Sequence, residues 1–121
     1  MRFGAAGLVI AVLLPVAATA QLAGRDQVAL ATAVGTSYAR IAQCLTTRMT
    51  NSHVGGLAVI FTAPTAEAFV HLWQRGNEHG VPIGVFLVRE DSAGGATISF
   101  SEPQPGRLIA AARAAVEHCA R

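Results

Sequence analysis

The chain has 121 residues, a formal net charge of +2 and an apolar content of 52%. This length fits one domain, and the apolar content excludes an intrinsically disordered chain. All nine basic side chains are Arg, which excludes chemistries that need Lys, such as a Walker-type phosphate loop or a Schiff base. The Arg residues are scattered singly along the chain, so we expect no binding to nucleic acid.

Residues 1–20 have the pattern of a secretory signal peptide. A charged start is followed by an apolar run over 3–14 and by a small-x-small cleavage site that ends at Ala20. The alternative is an uncleaved membrane anchor, but the run is short for a span of about 20 residues and Pro15 interrupts it. We therefore expect a mature chain, 21–121, that forms a single small domain, is periplasmic or secreted, and has no membrane span.

The mature chain is predicted to begin with one long helix over 24–49. Apolar side chains recur there every three or four positions and make one stripe. Asp26 suits the start of a helix. Gly35 is interpreted as a weak point inside the helix, because Gly is a poor helix former; it marks either a bend or a place where another backbone comes close.

A strand, a helix and a second strand are predicted next, over 57–62, 65–75 and 81–89. Two continuous apolar runs flank a segment that Pro64 opens and Gly76 closes, at the positions typical of a helix. Such a segment is a βαβ unit with parallel strands and a right-handed crossover.

The C-terminal part is predicted to be a hairpin and a helix. Residues 90–95 form the hairpin loop, and 96–101 form a half-exposed strand that is antiparallel to its predecessor and lies at a sheet edge. Two prolines then announce the last helix, 106–120. The predicted fold class is α+β: a two-layer α/β sandwich of order α-β-α-β-β-α, with a three-stranded mixed sheet built on the βαβ unit.

One apolar surface depends on where the middle helix lies, which the sequence leaves open. If all three helices share one sheet face, the other face shows Ala58, Ile60, Phe86 and Val88. An apolar patch of that kind would invite a partner.

The mature chain has two cysteines, Cys44 and Cys119. Each lies on or near the apolar stripe of a predicted helix, so both point inward and can meet. Two thiols in an exported domain most simply form one disulfide. The alternative is a redox or metal-binding thiol, but no Cys-x-x-Cys motif supports it.

Few residues suggest site chemistry. Glu67 and His71 would share a face of the predicted middle helix, which makes them weak candidates for a metal pair, although such a pair is also an ordinary solvated contact. Trp73 is interpreted as a core residue or, alternatively, a ligand platform. No Gly-x-Ser-x-Gly motif or other catalytic set is present, and no cofactor is expected.

The leading hypothesis is therefore a small exported, disulfide-stabilised domain without enzymatic activity, which binds another envelope protein or itself. A second hypothesis is a periplasmic small-molecule or metal-binding module that uses Glu67, His71 and Trp73. A third is a minor hydrolase.

Overall fold

The computed structural model describes residues 27–33, 35–92 and 94–121. The predicted signal peptide and its cleavage site lie outside these residues, so export stays a prediction. In chain order the elements are β1 (Val28–Ala33), α1 (Tyr38–Met49), β2 (Val54–Phe61), β3 (Glu67–Gln74), β4 (Gly84–Glu90), β5 (Ala96–Ser101) and α2 (Ile109–Cys119).

The five strands form one sheet in the order β1-β5-β4-β3-β2, and every neighbouring pair is antiparallel. The predicted three-stranded mixed sheet and the element order α-β-α-β-β-α are therefore wrong. No parallel pair and no βαβ unit occur among the described residues. Strands β2, β3, β4 and β5 follow one another as a meander, and β1 adds to the far edge by pairing with β5.

The predicted helix over 24–49 is wrong in its first part. Val28–Ala33 is a strand that pairs with β5. Gly35 lies in the turn after it with a φ of 81°, a left-handed conformation that Gly adopts at little cost. The helix begins only at Tyr38, where the Ser37 side chain accepts a hydrogen bond from the backbone N–H of Arg40 at 3.2 Å and so caps it.

The predicted helix over 65–75 is also wrong, because this segment is strand β3. Pro64 does not open a helix; it follows a cis peptide bond in the loop between β2 and β3. Gly76 has the expected positive φ, at 91°, but it lies in the turn after a strand.

The C-terminal predictions are confirmed in part. The hairpin between β4 and β5 is antiparallel, as expected, and a helix follows it. The position of β5 at a sheet edge is wrong, since β1 pairs with its other side.

Both helices pack on the same face of the sheet, which gives two layers. Helix α1 contacts β2, β3 and β4, while α2 contacts β1, β5 and α1. The main core lies between the layers and contains Leu45, Leu72, Phe86, Val88 and Phe100, all buried. The expected second-face patch is therefore wrong: Phe86 and Val88 lie under the helices.

A disulfide joins the two helices. The sulfur atoms of Cys44 in α1 and Cys119 in α2 are 2.03 Å apart and close a loop of 75 positions. The helices have 12 and 11 residues, and in the described part of the chain no helix is long and apolar enough to cross a membrane.

Candidate functional site

Strand β3 presents alternate side chains to the sheet face opposite the helices, which we call the second face. A strand's successive side chains point to opposite sides, and Ala68, Val70 and Leu72 fill the main core. Glu67, Phe69, His71 and Trp73 therefore share the second face. Phe69 is buried there together with Val85 and Leu87 of β4, and Phe61 packs against this cluster.

The strand keeps Glu67 and His71 apart. Residues four apart along a strand are separated by about 13 Å, whereas the predicted helix would have made them neighbours. Phe69 lies between them, with its ring centroid 6.4 Å from that of His71. Glu67 forms a salt bridge with Arg89 at 3.3 Å. The two candidates do not converge on one ion, and the described residues contain no group of three potential metal ligands.

His71 is half-buried, and this desolvation lowers its pKa below the ordinary value of 6.5. The unfolded chain therefore binds a proton at a higher pH than the folded chain does. The free energy of unfolding should fall as the pH drops below about 6.5 and through the lower folded pKa. Urea denaturation of His71→Gln and of the unmodified chain at pH 7.5 and pH 5 checks this. The variant should lose less stability than the unmodified chain, and equal losses would contradict the assignment.

Trp73 lies across Gly55, its register partner on β2. A Cβ atom at position 55 would overlap the indole ring, so only Gly permits this approach. The indole N–H and the Ser101 hydroxyl are buried and have no hydrogen-bond partner among the residues that the structure describes. Trp73 is therefore a packing residue of the second face, and the structure brings no described charged group to its N–H.

The outer side of β2 is an open sheet edge. The carbonyl of His53 accepts a hydrogen bond from the N–H of Arg75 at 2.9 Å, and the register continues without a break to Phe61 and Glu67. In an antiparallel pair such bonds alternate along the strand, so the backbone groups of the intervening residues point away from the sheet. These residues are Val54, Gly56, Ala58 and Ile60.

Within the described part of the chain, only the first of these outward residues is paired. The side chain of Asn51 accepts a hydrogen bond from the Val54 N–H at 2.8 Å, and the Val54 carbonyl accepts one from the Asn51 N–H at 2.9 Å. Among the described residues nothing bonds to the outward groups of Gly56, Ala58 and Ile60. Three N–H donors and three carbonyl acceptors thus remain available along this edge.

The same strand exposes apolar side chains. Leu57 on the second face is 56% exposed, and Ile60 on the helix side is 37% exposed. The strand has no charged residue and no proline between 54 and 61. The sequence predicted a strand here as part of a βαβ unit but left the strand order open, so it did not predict this open edge. The unbroken apolar and Gly composition of β2 was the signal that could have revealed it.

An apolar cavity of about 410 Å³ lies at the β1 end of the sheet beside Phe100, Glu102 and Ile109. Glu102 is buried, but its carboxylate accepts hydrogen bonds from the backbone N–H groups of Gly106 at 3.1 Å and Leu108 at 2.6 Å. Both oxygens are therefore used to hold the turn before α2. The described lining residues of this cavity offer no free catalytic group.

Comparison with protein-family models, with curated proteins and with solved structures gives no match to this chain.

Proposed function

We propose that the chain is an exported protein-interaction domain, without enzymatic activity of its own, that binds a partner strand along the open edge of β2. In strand addition an extended segment joins an exposed sheet edge, and main-chain hydrogen bonds supply much of the affinity. The unpaired outward groups of β2 are the observation that carries this proposal. Neighbouring side chains then contribute specificity.

The other edge of the sheet supports the choice of β2. Strand β1 has a register shift between Ala29 and Ala31, and such bulges are one of the devices by which proteins block edge-to-edge pairing. Charged residues and prolines are others, and β2 has none of these. An edge that is long, apolar and regular is a liability unless something pairs with it. A binding role would explain why β2 has a long, apolar and regular edge.

Side chains on both sides of β2 add contact area. Leu57 extends over the second face and Ile60 over the helix side. An added strand would therefore make apolar contacts on both faces of the sheet. Burying the exposed part of each side chain contributes on the order of 1 kcal/mol at about 25 cal/mol per Å². This burial adds an apolar contribution to the binding free energy that the backbone hydrogen bonds supply.

Site-specific photocrosslinking tests the proposal. A photoreactive amino acid at Leu57, in the chain expressed with its leader in a bacterial host, should give one discrete protein adduct. The same group at Val81, which is 72% exposed but lies outside β2, is the matched control and should give none. Ala58→Pro removes one outward N–H while leaving the β3 side of the ladder intact, and it should abolish the adduct. Equal crosslinking at both positions, or an adduct that persists in the Ala58→Pro variant, would refute the β2 site.

Export is supported by two features of different kinds. The first twenty residues have a secretory pattern, and a structural disulfide suits an oxidising compartment. Intact mass spectrometry of protein recovered outside the cytoplasm should give a chain that begins at Gln21 and is two hydrogens lighter than its reduced form. A retained leader or two free thiols would contradict export.

A further inference from the structure

We infer that the partner of β2 is a second copy of this chain, paired antiparallel about a two-fold axis at Ala58. This inference rests on the proposed function, since it names the partner of the same edge. The three unpaired outward residues are evenly spaced, and Ala58 is the middle one. A two-fold axis there places Ala58 opposite Ala58 of the second copy and Gly56 opposite Ile60.

The backbone pattern suits this register. In an antiparallel ladder two residues that face each other with outward groups exchange both hydrogen bonds. The three facing pairs, 56 with 60, 58 with 58, and 60 with 56, would make about six hydrogen bonds in all. Beyond them the ladder ends, because Asn51 already occupies the outward groups of Val54. The set of free groups is therefore limited to the stretch that the two-fold axis brings together.

The side chains are also complementary in this register. On the helix side the exposed Ile60 faces Gly56 of the second copy. The methyl groups of Leu72 and Thr50 lie 3.0 and 3.2 Å from the place that a Cβ at position 56 would take, so they give Ile60 an apolar contact. On the second face Leu57 faces Val59 of the second copy, an apolar pair of the kind that stabilises neighbouring strands. Because β2 has no charge, two copies of it do not repel each other. Both faces of the strand thus offer apolar contacts in this register.

Disulfide trapping tests the axis and the register together. In the proposed dimer the two Ala58 Cα atoms are about 5.5 Å apart, within the range of a disulfide. The two Ile60 Cα atoms lie about 13 Å apart along the strands, too far for one. Ala58→Cys should therefore form a covalent dimer under mild oxidation, while Ile60→Cys should not. Non-reducing gels detect the covalent dimer. Peptide mapping without reduction identifies the new bridge and checks that the Cys44–Cys119 bridge is still present.

Ile60→Cys is a stringent control. Position 60 is the more exposed, so random collisions between monomers would crosslink it more readily than position 58. Mixing Leu57→Cys with Val59→Cys should give a heterodimer, because these positions face each other across the axis. Light scattering of the unmodified chain should show a concentration-dependent rise toward twice the monomer mass, and Ala58→Pro should remove it.

Two results would overturn the inference. One is efficient trapping of Ile60→Cys with none of Ala58→Cys. The other is a strict monomer at every concentration tested. If the monomer still crosslinks through Leu57 to a different protein, the proposed function stands and only the identity of the partner is wrong. If neither crosslink forms, both proposals fail.

Discussion

Removing the disulfide with the double variant Cys44→Ala/Cys119→Ala should lower the free energy of unfolding by about 4 kcal/mol. The bridge closes a loop of 75 positions, and an open chain has more unfolded conformations to lose on folding. Domains of this size have a total stability of about 5–15 kcal/mol. The bridge is thus a large part of what keeps α2 on α1 and on the β1 end of the sheet. Urea denaturation of the variant and of the oxidised chain measures the difference.

Reduction of the unmodified chain is the matched control, because it opens the same loop without changing any residue. It should give a loss close to that of the double variant. A loss below about 1 kcal/mol in both cases would mean that packing alone holds α2, and the role given to the bridge would be wrong.

Truncating Phe86 to Ala should lower the free energy of unfolding by about 3–5 kcal/mol. Phe86 is fully buried at the centre of the sheet, under the helices. Its ring centroid lies 4.7 Å from that of Phe100 on β5. Removing the ring loses its burial and leaves a cavity that the two layers cannot close. Chemical denaturation measures the loss.

Val81→Ala is the control, since Val81 is exposed and lies outside the strands. Its stability should stay within about 0.5 kcal/mol of the unmodified chain. If Phe86→Ala were equally mild, Phe86 would not lie in the main core, and the assignment of the sheet faces would be wrong.

The sequence predicted best those elements whose signals are local. The turn glycines before β5 and the two prolines before α2 mark boundaries within a few residues of the chain. The inward positions of Cys44 and Cys119 likewise followed from helical spacing close to each residue. Such signals do not depend on the tertiary contacts of the segment, so they can be read from the sequence alone.

Strand β3 was misread because both of its faces are largely apolar. A strand with one exposed face alternates polar and apolar residues, but Phe69, Val70 and Leu72 are all buried. The alternation is therefore hidden. The segment also contains good helix formers such as Ala, Glu, Leu and Gln, and Pro64 stands where a helix could begin. Pairing with β2 and β4 outweighed this local preference.

Strand β1 was misread for a different reason. Its six residues, Val28–Ala33, are half Ala and lie shortly before the helix that begins at Tyr38, so one apolar stripe continues through both. What makes this segment a strand is its pairing with β5, about 70 positions along the chain. No local pattern reports such a contact. Because of the same contact, β5 lies inside the sheet and not at its edge as predicted, and the edge strands are β1 and β2.

The interpretation of the functional site depended on the predicted secondary structure and sheet order. Glu67 and His71 were paired only because a helix would have brought them together. The open edge of β2 was not predicted because the sequence left the strand order open. A correct sheet order was needed before either feature could be judged.

Amide hydrogen exchange along β2, measured by NMR, is the most direct test of the open edge. In dilute protein the N–H groups of Leu57 and Val59, which bond to β3, should be protected, while those of Gly56, Ala58 and Ile60 should exchange quickly. At high concentration, or with a bound partner, the second set should become protected as well. Protection of all five groups in the dilute monomer, or continued fast exchange of Ala58 in the bound state, would contradict the account.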